Sequence, residues 1–323
     1  MSDWLPPLLT AILASIGMLY GLLRLRLALP LDHPNARSLH TAPVPRIGGL
    51  GLLAGVGTSL LWAAPAGLEM ILLLALALAA LSWLDDWRGL PVMPRLAAHL
   101  AAAGLFVLGS GLAEAHPAWA LMLTLAVVWM TNLYNFMDGA DGLAGGMAMF
   151  GFAAYAVAAG LGGDLGMARL AACIAAAALG FLLFNFPPAR LFLGDVGAVP
   201  LGFLAAALGL EGWRRGLWPA TTPLLAFAPF IVDASVTLAR RLRRGDNALQ
   251  AHREHHYQRL IRMGWSHRRL AAWSYPLMAL CAGSAVWAAR APEWQWATLA
   301  IWGGLFLWGM AWMERCWSTH REK

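Results

Sequence analysis

Charge is scarce in this chain, and lysine is scarcer still. Only 12% of the 323 residues are charged and 60% are hydrophobic, against about a quarter charged in soluble proteins. That balance excludes a soluble globule and leaves a polytopic membrane protein. Lys323 is the single lysine, so a Walker-type phosphate loop and a Schiff-base mechanism, each needing an internal lysine, are excluded. Cysteine is thin as well. Cys173, Cys281 and Cys316 are odd in number, far apart and embedded in apolar sequence, which supports neither a disulfide framework nor a zinc site and marks them as packing residues. Soluble stretches are missing too: the longest, around 239–269, is too short for a folded domain, so residues 1–323 read as one integral membrane domain. The leading Met-Ser-Asp-Trp has no basic run and no clear cleavage site behind it, so the first apolar stretch is expected to be a retained anchor.

What is present is apolar sequence in blocks, near 5–28, 47–65, 69–84, 95–113, 117–134, 143–161, 167–186, 199–210, 219–238, 270–289 and 294–313. These predict an all-α membrane protein of about 10–11 transmembrane helices. With the N-terminus outside and the C-terminus inside, all of the 23 basic residues fall on the cytoplasmic side except Arg169, Arg214, Arg215 and Arg290, as the positive-inside rule requires. The acids follow, although no orientation rule demands it: Asp32, Asp85, Asp86, Asp138, Asp141, Asp195, Asp233, Asp246 and Glu254 share that face. Acids and arginines crowded on one face suit a metal–nucleotide complex better than a structural role. The net charge of +6 lies beside membrane segments and fits a phosphate-rich membrane face, not nucleic acid.

The chemistry concentrates in a few stretches. Asn132-Leu-Tyr-Asn135-Phe-Met-Asp138-Gly-Ala-Asp141-Gly142 sets amides and carboxylates at three-residue steps where an apolar run ends, and Gly139, Gly142, Gly145 and Gly146 are expected to turn the backbone so that the polar groups converge. Asp85-Asp86 ends the third span; two adjacent carboxylates repel unless they share a cation or a proton. The Pro-rich first loop carries Arg37, His40 and Arg46, suited to gripping a phosphate. Gly51 and Gly55 behind it read as close helix packing, since no strand precedes them to make a dinucleotide fingerprint. Asn185 begins a Pro- and Gly-broken segment leading to Phe192-Leu-Gly194-Asp195. The last large loop holds His252-Arg-Glu-His255-His256, at spacings that can share a helix face and, alternating with arginine, point to anion binding.

Taken together, the Asp-Asp pair, Asn-x-x-Asn-x-x-Asp-Gly-x-Asp-Gly-Leu, Asn185 before Phe192-x-Gly-Asp195, and the histidine-rich last loop resemble the polyprenyl-phosphate N-acetylhexosamine-1-phosphate transferases of glycosyltransferase family 4, over roughly residues 30–270. The Pro34-Asn-Ala-Arg37-Ser-Leu-His40 loop and the His-x-x-His-His form look like the O-antigen-initiating branch. The resemblance implies a helical bacterial inner-membrane enzyme moving a sugar 1-phosphate from a UDP-N-acetylamino sugar to undecaprenyl phosphate, releasing UMP, with Mg²⁺ or alternatively Mn²⁺. It implies Asp195 as the metal ligand and Asp85 and Asp86 beside the lipid phosphate, with one of the pair as a candidate base. Asn135, Asp138 and Asp141 would line the catalytic cleft. Asn185, Asp141 and Phe192 would approach the uridine, and His255 and His256, with His252, the phosphates or sugar. The lysine of the family's first loop is replaced by Arg46 or His40, and Arg88 stands where another lysine follows the Asp pair. The sugar and a homodimer stay open. A secondary transporter with a carboxylate cation or proton site is the rival, but it needs midplane acids in repeated halves, and here the acids hug one interface.

Overall fold

The computed structural model describes residues 4–25, 29–34, 42–62, 66–115, 117–247, 250 and 252–321, leaving out the side chains of 59, 115 and 321. Arg37 and His40 lie outside the described residues. The chain forms α1 (Leu5–Arg24), β1 (Leu31–Asp32), β2 (Val44–Pro45), α2 (Gly48–Ser59), α3 (Glu69–Arg88), α4 (Val92–Gly109), α5 (Leu112–Ala115), α6 (Ala120–Phe136), α7 (Leu143–Leu161), α8 (Leu165–Asn185), α9 (Asp195–Arg214), α10 (Thr221–Ala226), α11 (Ala228–Arg243), α12 (His256–Arg262), α13 (His267–Arg290) and α14 (Gln295–Arg321). Among the described residues nine helices are long and apolar enough to cross a membrane. The other two apolar blocks become the shorter α2 and the pair α10 and α11. This is an all-helical, multi-pass membrane protein.

The helices are layered around α8 and α9. Of their apolar windows 78% and 89% are buried, against 0% for α14, so α14 lies at the rim of the bundle with Trp296, Trp308 and Trp312 exposed. Small residues make the centre dense. α7 and α8 are rich in alanine and glycine and pack along their length, and a Cβ on Gly55 would collide with Ala177 of α8 and the Ala11 carbonyl of α1. Gly145 and Gly146 do not turn the chain as the spacing suggested. They sit inside α7 and admit Phe181, Leu182 and Tyr275; the turn itself is made at Gly142, whose φ is +75°.

One end of this bundle collects the functional segments. α3 stops at Gly89 in the left-handed conformation, with its N–H on the Asp85 carbonyl at 2.8 Å, and Pro91 starts α4 directly afterwards. The α6–α7 and α8–α9 connections open at the same end. The first loop is stitched there by backbone: Leu31 and Asp32 pair antiparallel with Pro45 and Val44, Phe192 N–H donates to the Pro45 carbonyl, and Gly48 and Gly49 N–H donate to the Phe192 and Leu193 carbonyls, all at 2.8 Å.

Candidate active site

Four carboxylates converge at this end. Asp85 and Asp86 are consecutive in the last turn of α3, and a helix rotates each residue by about 100°, so the two meet different partners. Asp85 accepts the Leu90 N–H at 2.6 Å and Arg95 Nη1 at 2.7 Å. The same Arg95 Nη1 reaches Asp195 Oδ2 at 3.2 Å, so one guanidinium from α4 bridges acids of α3 and α9. Asp86 turns toward α9 and accepts the N–H groups of Asp195 and Val196 at 3.3 and 3.0 Å. No side chain of α9's own caps it; its orphaned first N–H groups and positive dipole end are met by the α3 carboxylate instead. Gly194 leaves the space, since its φ is +73° and a Cβ there would lie 3.0 Å from Asp86 Oδ2. Arg46 completes the group, with Nη2 2.5 Å from Asp32 and Nη1 3.8 Å from Asp86.

Asp138 is the exception in this cluster. Its carboxylate has no hydrogen bond among the described residues, and loss of water contact, followed by the Asp195 charge, pushes its carboxyl well above the usual range. Among the described residues no three His, Cys, Asp or Glu side chains form a metal cage. Magnesium, however, is commonly held by one or two carboxylates with substrate phosphates completing its shell, and an unpartnered Asp138 beside Asp195 fits that arrangement.

Asp85 and Asp195 open onto a cleft of about 360 Å³ built in two tiers. Its outer tier is Asp85, Arg95, Asn135 and Asp195; on the same four helices Ser82, His99, Asn132 and Val199 lie three or four residues further in, one turn or about 6 Å deeper. The remaining wall comes from Gln250, His252, His255 and Gln258. That wall is hung on Asp233 of α11, which accepts the N–H groups of His256 and Tyr257 at 2.8 and 3.2 Å and lies 3.0 Å from His256 Nδ1. The three histidines do not share a helix face, because His255 is the extended N-cap of α12 and His252 precedes it in irregular chain. His255 stacks on Phe136, ring centroids 6.2 Å apart. His252 is pushed down to about 4 by burial, with His255 and Arg241 adding to the effect; it is neutral at pH 7.

A second group braces the cleft from behind. Asn185 is buried, accepts the Gly142 N–H at 2.8 Å and donates to the Leu191 carbonyl at 2.9 Å. Asp141 accepts the Ala189 N–H at 3.0 Å and lies 3.1 Å from His267 Nδ1; burial opposes its ionisation, but these contacts outweigh it and hold the carboxyl below its usual range.

The glycosyl transferase family 4 model matches residues 68–212, which hold every acid of the cleft. The decaprenyl-phosphate N-acetylglucosaminephosphotransferase of Mycolicibacterium smegmatis is 31% identical over 73% of this chain and 70% of its own length. This chain belongs to that family. The probable undecaprenyl-phosphate N-acetylglucosaminyl 1-phosphate transferase of Bacillus subtilis is 29% identical over 74% of this chain and 71% of its own. The undecaprenyl-phosphate alpha-N-acetylglucosaminyl 1-phosphate transferase of Escherichia coli K12 is 28% identical over 90% and 85%. As a family 4 member the protein is a phosphotransferase, and the transporter reading falls.

Of the residues singled out from the sequence, Asp85, Asp86, Asp138 and Asp195 form the family 4 member's acid cluster, and Asn135, His252 and His255 line the cleft with Asp85 and Asp195. Asp141 and Asn185 stand apart in the brace, and His256 is spent on Asp233. Phe192 acts here through its backbone, beside Arg46. Arg88 is exposed at the end of α3, and it is Arg95 that reaches the acids. Sequence reasoning passed over Arg95, His99 and Gln250 as site residues and counted Asp233 only among the acids of the cytoplasmic face. The signal for Arg95 and His99 was their i, i+4 spacing just past the Asp pair; Asp233 gave none, because its partner is 23 residues on.

Proposed function

We propose that the protein transfers an N-acetylamino-sugar 1-phosphate from a UDP-sugar to undecaprenyl phosphate, giving undecaprenyl-diphosphate-sugar and UMP. This would initiate O-antigen or a related cell-envelope polysaccharide at the cytoplasmic face of a bacterial inner membrane, with residues 1–323 acting as one domain oriented N-out and C-in. The carrying observation is the excess, among the described residues, of carboxylates over guanidinium groups around a two-tiered cleft at one end of the bundle. In the reaction an acceptor phosphate oxygen bonds to the phosphorus bearing the sugar, the bridging P–O bond breaks, and UMP leaves with the bridging oxygen. Two anions must therefore meet. Mg²⁺, when held by Asp195 with Asp138 beside it, supplies charge neutralisation for the diphosphate. Arg95, shared between Asp85 and Asp195, is placed to hold a phosphate oxygen between the tiers, and Asp85 is aimed by the Leu90 N–H and Arg95. Neutral His252 offers a hydrogen bond to the donor at the outer wall.

The direct test is to incubate membranes bearing the protein with undecaprenyl phosphate and labelled UDP-N-acetyl sugars, with and without Mg²⁺. Mg²⁺-dependent UMP with a lipid-linked sugar diphosphate is expected, and the panel names the sugar; release of UDP would overturn the reading. Asp195→Asn is expected to cut transfer by roughly 10²–10³-fold or more, as for loss of a transition-state charge partner, with membrane insertion intact.

A further inference from the structure

His99 is buried, 6% exposed, yet its Nδ1 has no hydrogen-bond partner among the described residues. Burying a polar nitrogen unpaired is costly, and such exceptions in a native structure call for a reason. The position supplies one. His99 lines the cleft one helical turn deeper than Arg95, where α3 and α9 contribute Leu81, Ser82 and Val199, and Asn132 of α6 is its polar neighbour. Asn132 commits its Nδ2 to the Val128 carbonyl at 2.7 Å and its side chain also hydrogen-bonds the His99 imidazole, which leaves Nδ1 as the one unsatisfied group of the inner tier among the described residues. A nucleotide-sugar is water-soluble and enters at the outer tier. A phosphate on an isoprenoid chain is drawn instead toward the apolar depth, where its oxygens need donors.

From this, and resting on the transfer reaction proposed above, we infer that His99 is a substrate-binding residue: with one ring N–H held by Asn132, its Nδ1 takes up the proton of the incoming phosphate monoester and donates it as a hydrogen bond to a phosphate oxygen of the acceptor lipid in the inner tier. Arg95 above it and His99 below then hold the acceptor phosphate at the level from which it attacks the donor diphosphate. The structure assigns to α4 a two-residue phosphate ladder, Arg95 and His99, one turn apart.

The test compares wild type, His99→Ala and His99→Gln in detergent, measuring KM separately for undecaprenyl phosphate and for the UDP-sugar, and the rise in Tm caused by undecaprenyl phosphate alone. His99→Ala is expected to raise the acceptor KM roughly 10–100-fold, the loss of one hydrogen bond to a charged group. It should leave the donor KM within about twofold and abolish the acceptor-induced rise in Tm; the glutamine amide is expected to restore part of both. An unchanged acceptor KM, a change in the donor KM alone, or an equal rise in both overturns the inference. Because wild-type turnover is measured in the same series, failure of the proposed reaction shows as no UMP from wild type, distinct from a normal wild type with an unaffected variant. Unliganded Tm of the glutamine variant reports folding independently of the ligand.

Discussion

Both ends of the bundle bury charge, and they treat it differently. At the far end Glu211, 2% exposed, is held by Arg214 through paired contacts at 2.6 and 2.7 Å and by Arg215 at 2.6 Å. Arg215 also takes Asp164 at 2.8 Å and reaches the Gly67 carbonyl at 3.1 Å. Acids and guanidiniums match there, and each carboxylate is hydrogen-bonded. At the cleft end, among the described residues, Asp85, Asp86 and Asp195 share Arg46 and Arg95, Arg46 serves Asp32 as well, and Asp138 has no ion pair. A matched network clamps helices; a deficit of positive charge is a standing demand for a cation and phosphate-bearing ligands.

Substitutions at the two ends should therefore have opposite signatures. Glu211→Ala strands Arg214 and takes one of two carboxylates from Arg215, and is expected to lower stability by about 3 kcal/mol, the low end for breaking a buried pair because Arg214 is partly solvated and Arg215 keeps Asp164. It should leave the KM values of the surviving enzyme unchanged, which thermal unfolding and steady-state kinetics would check; a KM change would mean the far end talks to the cleft. Asp138→Asn reverses the pattern. Removing an unpartnered charge beside Asp195 is expected to raise Tm by a few degrees, about 1 kcal/mol, while turnover falls by roughly 10²-fold or more. A drop in both would make Asp138 a structural residue. The smallest effect is on pH. His252 titrates near 4 when folded and near 6.5 when unfolded, so between these values the unfolded chain binds the extra proton. Stability falls as pH drops from about 6.5 to about 4, and His252→Gln should flatten that part of a Tm–pH curve.

How much of this could be read from the chain depends on the range of the interaction. Helices, and the acid motifs at their ends, are local patterns of hydropathy and spacing, and they stood where expected. Adjacent Asp85 and Asp86 suggested a shared proton or cation, but helix rotation sends one to Arg95 and the other to the start of α9. Asn185 and Asp141 belong to the motif, yet Asn185 holds backbone on both sides and Asp141 divides itself between the Ala189 N–H and His267, which spacing does not show. Asp233 supports the histidine wall from another helix and was invisible for that reason. His99 gave no sign beyond its spacing from Arg95, because what it meets comes from three other helices.

The backbone clasp between the first loop and the α8–α9 connection bears on how this protein would answer random mutagenesis. Gly48 and Gly49 have no room for a Cβ against Phe181, Leu193 and Gly197, and Gly194 is hemmed in by Asp86 and Arg46. None of these glycines carries a functional group. A map of inactivating substitutions would nevertheless mark them as strongly as Asp195, so intolerance in this stretch measures closeness of fit between two strands of chain, and chemistry has to be read from variants that keep the fit and change only the charge.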